Sequence, residues 1–342
     1  MHKKAKQVLW LPTGGQIGDA LMILSALAEF LSREPEGKVI YLVRRNAKLI
    51  SDLAAAYPQI RVIGVPENRL RAALFMLKLL LQRRYVVVVP PVPGNHPTEI
   101  KIVAAIFRLM SGNTVVGTRD RSTWEPYTVC LSYDTDLPNI ENVRRLLAAG
   151  GIATARKGTP PLLKLDMHTP KDATPPQAYI VVHPFPTLPS KTLPMHRWRA
   201  LLAGLETRYP DLSFIITGSK ENASAVKEMS EGLPRVSAAI GLPILEVAWL
   251  IKNSALYIGV DTGITHLAGV LQHKSVIIAQ RSSPTWLPYY NPKAKVLLNL
   301  TRCTCDTDKE SCFVEEDGQK YYRCLYDIAD ETILASIHEK LF

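Results

Sequence analysis

The chain has 342 residues, of which 47% are hydrophobic and 21% charged, and a formal net charge of +10. That length exceeds what one hydrophobic core serves and predicts two domains, while the composition excludes a disordered chain and a membrane-spanning one. The positive balance selects anionic partners such as nucleotide diphosphates, phosphorylated glycolipids or acidic lipid head groups; nucleic acid is set aside, because no helix-turn-helix, zinc-finger or aromatic RNA-binding signature accompanies the basic residues.

At the N-terminus Lys3, Lys4 and Lys6 precede an apolar run that breaks after a few residues at Pro12-Thr13-Gly14-Gly15, which gives no export signal and predicts a cytoplasmic protein. Gln7 to Leu11 reads as a short buried strand and Asp19 to Leu31 as a helix. The intervening Thr13-Gly14-Gly15-Gln16-Ile17-Gly18-Asp19 lets a ligand approach the backbone and offers the free amides of a helix start. It is neither a Gly-x-Gly-x-x-Gly dinucleotide turn nor a Walker loop. Asp19 occupies an N-cap position, and capping by itself accounts for its type.

Further strands are expected at Val39 to Val43, Arg61 to Val65, Tyr85 to Val89 and Thr114 to Gly117, with helices near 47–56, 68–83, 98–111 and 138–149. That alternation predicts a parallel sheet with helices on both faces. The stretch Asn68 to Arg84 is basic at both ends and apolar between; it reads as a crossover helix packed on the sheet, and alternatively as a seat on an anionic membrane. Its apolar part, Leu70 to Leu81, is too short to cross a bilayer.

The polar, proline-bearing stretch 167–177 predicts a linker. Beyond it the alternation resumes: strands at Tyr179 to His183, Ser213 to Thr217, Leu256 to Val260, Ser275 to Ala279 and Val296 to Asn299, helices near 196–208, 221–230, 243–251 and 264–271. The expected organisation is a first domain over 1–166, the linker 167–177, a second domain over 178–328 with a cysteine-rich segment 303–324, and a C-terminal helix in 329–342. Two such lobes present the carboxyl ends of their strands to a central cleft, where open α/β sheets bind ligands.

Two motifs of the second half lie on strand ends. Asp261-Thr262-Gly263-Ile264-Thr265-His266 follows a buried strand and opens a helix, placing a hydroxyl and backbone donors at the positive helix end, as a pyrophosphate requires; a capped helix with a core histidine explains the same residues. The loop His183 to Lys191, with Thr187, leads to Leu193-Pro194 and Trp198. Lys191 reads there as a mobile cation for phosphates or as a solvated lysine.

Gly18-Asp19 after the first strand, Lys191 with Leu193-Pro194 and Trp198, Thr217-Gly218 with Glu221, and Asp261-Thr262-Gly263 with His266 together resemble glycosyltransferase family 9, the lipopolysaccharide heptosyltransferases, over nearly the whole chain. The resemblance implies a GT-B fold of two Rossmann-like doubly wound domains, an ADP-heptose donor held mainly by the second lobe, an acceptor held mainly by the first, and inversion at the anomeric carbon without a catalytic metal. It makes Asp19 the general base. Lys191 and the amides around Thr262 and Gly263 would stabilise the departing diphosphate; Gly18, Thr187, Gly218, Glu221, Asp261 and His266 complete the donor site.

The chain departs from the family pattern at Leu24-Ser25, where a proline is usual, and in the proline-rich loop Pro90 to His96. Acceptor contacts are accordingly expected from His96, Thr98, Lys101, Arg119 and Arg121, with Trp124 nearby. Cys303, Cys305, Cys312 and Cys324 are spaced as Cys-x-Cys, six residues, Cys, eleven residues, Cys, a set that suits a closed structural zinc or iron site or free thiols in a loop. Protein heptosyltransferases that resemble this family carry an iron-bound finger. Other readings keep the fold with another nucleotide sugar or an O-chain, capsule or protein acceptor, or take the chain as a nucleotide-binding protein without turnover in a glycan assembly complex.

Overall fold

The computed structural model of the chain describes residues 6–82, 85–92, 96–111, 113–119, 124–161, 163–170, 175–281, 284–301, 303 and 311–342. The chain divides into two compact units, Met1–Asp166 and Met167–Phe342.

Unit 1 runs β1 (Gln7–Thr13), α1 (Ile17–Arg33), β2 (Lys38–Val43), α2 (Ala47–Leu53), β3 (Ile60–Gly64), α3 (Arg69–Gln82), β4 (Val86–Val88), α4 (Thr98–Ser111), β5 (Thr114–Thr118), β6 (Val129–Leu131) and α5 (Asn139–Ala149). Its strands pair in parallel in the order β3-β2-β1-β4-β5-β6. A central parallel strand is covered on both faces, which is why Val8, Leu9, Trp10 and Leu11 form an unbroken apolar run and are all fully buried. β6 was not expected; three residues at a sheet edge carry too little pattern to be read from sequence.

α1 is apolar almost all round, and residues Ala20 to Leu31 are buried. The exception in its chemistry is Glu29. Arg144 on α5 meets Glu29 through Nε and Nη2 and Glu141 through Nη1 at 2.7 Å, while the amide of Ala155 donates to Glu29 at 3.2 Å and that of Gly158 to Glu141 at 2.9 Å. The side chains of this triad are 3 to 9% exposed. Breaking a buried pair leaves an uncompensated charge, so Arg144→Leu is expected to lower unfolding free energy by about 3–5 kcal/mol, read from the urea midpoint, whereas Glu29→Leu/Glu141→Leu/Arg144→Leu recovers most of the loss.

Unit 2 repeats the plan with β7 (Tyr179–His183), α6 (Met195–Arg208), β8 (Ser213–Gly218), α7 (Ala223–Ser230), β9 (Val236–Ile240), α8 (Ile244–Asn253), β10 (Leu256–Val260), α9 (Gly263–Val270), β11 (Ser275–Ile278) and β12 (Ala294–Leu297). Its parallel order is β12-β11-β10-β7-β8-β9. Renumbered within each unit, both sheets read 3-2-1-4-5-6, the doubly wound dinucleotide-fold order. An antiparallel hairpin of β13 (Phe313–Glu316) and β14 (Gln319–Tyr322) follows, then α10 (Arg323–Tyr326) and α11 (Asp330–Leu341).

The C-terminal helix expected at 329–342 forms as α11, and its Ile333 and Ile337 enter the same core as Val182, Trp198 and Ile258. Arg197 on α6 anchors it, donating to the carbonyls of Tyr326 and Ile328 and to Asp330. β9, with small and polar residues at three of five positions, and the hairpin were not expected. The stretch 167–177 follows the unit boundary, and its residues 171–174 lie outside those described.

Candidate functional site

In both sheets the strand order reverses beside the first strand, so the switch points lie between β1 and β4 in unit 1 and between β7 and β10 in unit 2. Ligands of open α/β sheets bind at the carboxyl ends of the strands there. The Gly14 to Gln16 loop leaves β1 and leads to Asp19 in the first turn of α1; the Lys191 loop leaves β7; Asp261 follows β10.

The loop after β1 is built on Gly15. Its φ is +80°, and a Cβ there would stand 2.3 Å from the Arg45 carbonyl oxygen, so only glycine fits. Asn46, itself left-handed at φ 56°, donates from Nδ2 to the Gly15 carbonyl at 2.9 Å and locks this loop to the one after β2. Gln16, not Asp19, is the N-cap of α1, and no side chain caps it. Asp19 is the third helical residue, which corrects the capping expectation. Its carboxylate is partly buried and has no hydrogen-bond or ion-pair partner among the described residues. Burial pushes its pKa from 3.8 up to about 6. Gly18 is the second residue of the helix and partly exposed.

The other unit 1 candidates divide by orientation. His96 is buried: its Nε2 donates to the Pro90 carbonyl at 2.9 Å, and its Nδ1 pairs with the Tyr127 hydroxyl at 3.1 Å. Lys101 is also buried, with Nζ donating to the Trp124 carbonyl at 3.1 Å. Both of these candidates are buried against backbone carbonyls, His96 against that of Pro90 just past β4 and Lys101 against that of Trp124. Thr98 is exposed at the start of α4. Arg119 is exposed just past β5 and pairs with Glu125 at 3.1 Å. Arg121 lies outside the described residues. A cavity of about 780 Å³ lined by Lys38, Gln59, Arg61 and Tyr85 opens at the opposite, amino-terminal edge of the sheet, away from Asp19.

In unit 2, Lys191 is held in place. Its Nζ donates to Asp261 Oδ2 at 3.0 Å, and Gln280, two residues past the end of the β11 ladder, donates to the same oxygen at 2.8 Å. The Lys191 turn is tied down as well: Thr192 Oγ1 donates to the Pro184 carbonyl at 2.7 Å, Trp198 Nε1 donates to Thr192 Oγ1 at 2.9 Å, and Gln319 of the hairpin donates to the Pro189 carbonyl at 3.0 Å. The mobile cation of the sequence reading is thus an ordered one. Asp261 engages one of three ammonium N–H groups, so the rest can meet a second anion.

Thr262 is the N-cap of α9, its hydroxyl accepting from the Thr265 amide at 3.4 Å. The first amides of a helix have no intrahelical acceptor, so those of Gly263 and Ile264 face out of the positive end beside Lys191 and Asp261. His266 points the other way. Its Nδ1 meets the Tyr290 hydroxyl at 3.0 Å with the rings stacked, and it also bonds the backbone of Trp286; burial lowers its pKa against the pull of Asp261. Gly269 makes this possible, because a Cβ there would stand 2.6 Å from the Tyr290 hydroxyl. His266 braces α9.

His183 likewise anchors its loop, with Nδ1 3.0 Å from both the carbonyl and the hydroxyl of Thr217, and burial lowers its pKa to about 4. Gly218 is packed against Phe185 and Asn222, at 2.9 and 3.1 Å from a notional Cβ, so its small size serves the protein's own packing. Glu221 is exposed in a 3-10 turn after β8, and a hydrogen bond from Ser219 lowers its pKa. Thr187 is exposed on the loop after β7. Gln280 and Tyr290 were not foreseen; for Gln280 a signal existed, its place just past the strand neighbouring β10.

Of the cysteine set, Cys312 and Cys324 are buried on either side of the hairpin, and Cys305 lies outside the described residues. The Arg281 amide donates to Cys324 Sγ at 3.1 Å, and Arg281 Nη1 reaches Cys303 Sγ at 3.6 Å. Burial first, then the charges of Cys303 and Cys312, raise the Cys324 pKa. No group of metal-ligating side chains with coordination geometry is found among the described residues.

The sequence profile described as glycosyltransferase family 9 (heptosyltransferase) matches residues 95–315. Among solved structures the chain is similar to an E. coli ADP-heptose lipopolysaccharide heptosyltransferase II at 18% identity and a TM-score of 0.68, over 98% of each chain. It is similar to E. coli heptosyltransferase WaaC with ADP at 17% and 0.68, over 98% of this chain and 99% of that one. A third is the iron-containing dodecameric glycosyltransferase TibC of enterotoxigenic E. coli, at 16% and 0.61, over 99% of this chain and 80% of that one. A search of curated proteins finds no match.

Proposed function

The chain belongs to glycosyltransferase family 9, and from that premise we propose that it transfers heptose from ADP-heptose to a lipopolysaccharide core or related bacterial glycan, with inversion and without a catalytic metal. The observation that carries the reading is the Lys191 and Asp261 pair beside the open amino end of α9, a ready site for a diphosphate in unit 2. Lys191 and the amides of Gly263 and Ile264 neutralise charge on the departing ADP. Asp261 and Gln280 position Lys191, Thr262 and His266 hold α9, and Glu221 reaches the ribose or adenine edge. Asp19, with no partner among the described residues and a pKa of about 6, accepts the proton of the attacking acceptor hydroxyl.

Of the acceptor candidates among the described residues, Thr98 and Arg119 are exposed while His96 and Lys101 are buried, so Thr98 and Arg119 are the favoured contacts, with Arg121 retained as a candidate. A lipid-linked acceptor of this kind fits a cytoplasmic enzyme working at the inner face of the inner membrane. Incubation with ADP-heptose and truncated core oligosaccharides, read by mass spectrometry, is expected to add one heptose. Calorimetry is expected to show ADP binding more tightly than UDP or GDP. Transfer from UDP-sugars alone would overturn the donor assignment.

The cysteine set fits a structural iron or zinc in donor type, since thiolates bind both, and Arg281 donates to two of its sulfurs, those of Cys303 and Cys324. Cys303, Cys312 and Cys324, with Cys305, would hold it, and the ion would brace the hairpin whose Gln319 ties down the Lys191 turn. Elemental analysis of purified protein is expected to find about one equivalent of iron or zinc for a single four-thiolate site; a metal-free protein with an intact fold would exclude it.

A further inference from the structure

α3 is apolar on two opposite sides. Phe75, Met76, Leu79 and Leu80 pack on the unit 1 core, while Leu70, Leu74, Leu77 and Leu81 are 70, 58, 43 and 76% exposed. Their spacing of four, three and four residues puts these leucines on one line along the helix. α4 packs on the same face of the sheet through Ile100, Ala104 and Phe107, and it exposes Ile102 at 47% and Leu109 at 82%. Two adjacent helices therefore carry an outward stripe of large aliphatic side chains, which a soluble surface does not need.

The charge beside this stripe identifies its occupant. α3 has no acidic residue, and its Arg71 and Lys78, both exposed, lie one helical step to the same side of the leucine line. α4 contributes one acidic residue, Glu99, in its first turn. As a crossover helix between parallel strands, α3 ends at the amino-terminal sheet edge, where Lys38 and Arg61 line the open cavity. Leucines flanked by cations suit acyl chains beneath anionic head groups. A two-fold pairing of this face with a second copy would instead set like charges against each other.

We propose that unit 1 docks through the exposed faces of α3 and α4 onto an anionic lipid bilayer, with Leu70, Leu74, Leu77, Leu81, Ile102 and Leu109 entering the interface and Arg71 and Lys78 meeting lipid phosphates. This deepens the membrane contact named for the lipid-linked acceptor and rests on that reading only for its purpose. The full-length protein is expected to float with vesicles of equal parts phosphatidylglycerol and phosphatidylcholine and not with phosphatidylcholine alone. Leu74→Glu/Leu81→Glu and, separately, Arg71→Glu/Lys78→Glu are each expected to weaken that binding by about tenfold or more, with unchanged thermal unfolding. Both variants keep their rate on a soluble, delipidated oligosaccharide, so failure of docking is distinguishable from failure of the transferase reading. Vesicle binding indifferent to both variants overturns the proposal. So does an oligomer, seen by light scattering, that Leu74→Glu/Leu81→Glu converts to monomers.

Discussion

Asp19→Asn is expected to lower turnover by about 10²–10⁴-fold, the usual worth of a positioned general base, while ADP-heptose affinity changes little. Asn keeps the size of the side chain and removes only its basicity, so retained donor binding with lost transfer separates a catalytic base from a donor contact. In the unaltered enzyme kcat/KM should rise with pH through about 6, because burial has raised the Asp19 pKa to that value, and should level off above it. A rate independent of pH between 5 and 7 would remove Asp19 from the mechanism.

The same residue should cost stability. Its proton is held more tightly in the folded chain, with a pKa of about 6, than in the unfolded chain at 3.8, so fold stability falls as pH rises through that window and the deficit is complete above it. Asp19→Asn, carrying no charge, should therefore be more stable than the parent at pH 7 by about 1–3 kcal/mol, with the difference vanishing below the unfolded pKa. Thermal melts at pH 7 and pH 3.5 read this directly. Lost activity with gained stability is a signature that a merely structural carboxylate would not give.

Lys191→Met is expected to cost about 10²–10³-fold in kcat, the loss typical when one preorganised donor to a leaving group is removed. The substitution has a second effect: Asp261, its side chain 9% exposed, keeps only Gln280 as a partner among the described residues, at the site proposed for the diphosphate. Donor affinity should therefore fall too. Lys191→Met/Asp261→Asn should recover part of that affinity and none of the rate, because it removes the repulsion without restoring the cation. Equal kcat for Lys191→Met and the parent would exclude a role for Lys191 at the leaving group.

The regular elements of both units were legible because central parallel strands such as Val8 to Leu11 and Leu256 to Val260 are apolar without interruption, and the helices between them show helical spacing. β6, β9 and the hairpin were not, since short edge strands and small polar residues leave no period to read. At the site, chain order put Asp19, Lys191 and Asp261 on strand ends, but nothing local distinguishes an inward side chain from an outward one. His96 and Lys101 look like binding residues in sequence and are buried against backbone carbonyls; Gln280 looks like filler and bonds Asp261.

Residue type and spacing along the chain determined the alternating plan, the glycine-bearing turn at Gly15 and the capped start of α9, because each is a property of a few consecutive residues. Only the tertiary structure decided that Asp19 is desolvated without a partner among the described residues, that Lys191 and Asp261 meet across seventy residues of chain, and that the leucines of α3 face outward. Burial, pairing and exposure arise from which elements pack together, and that is settled by contacts distant in sequence.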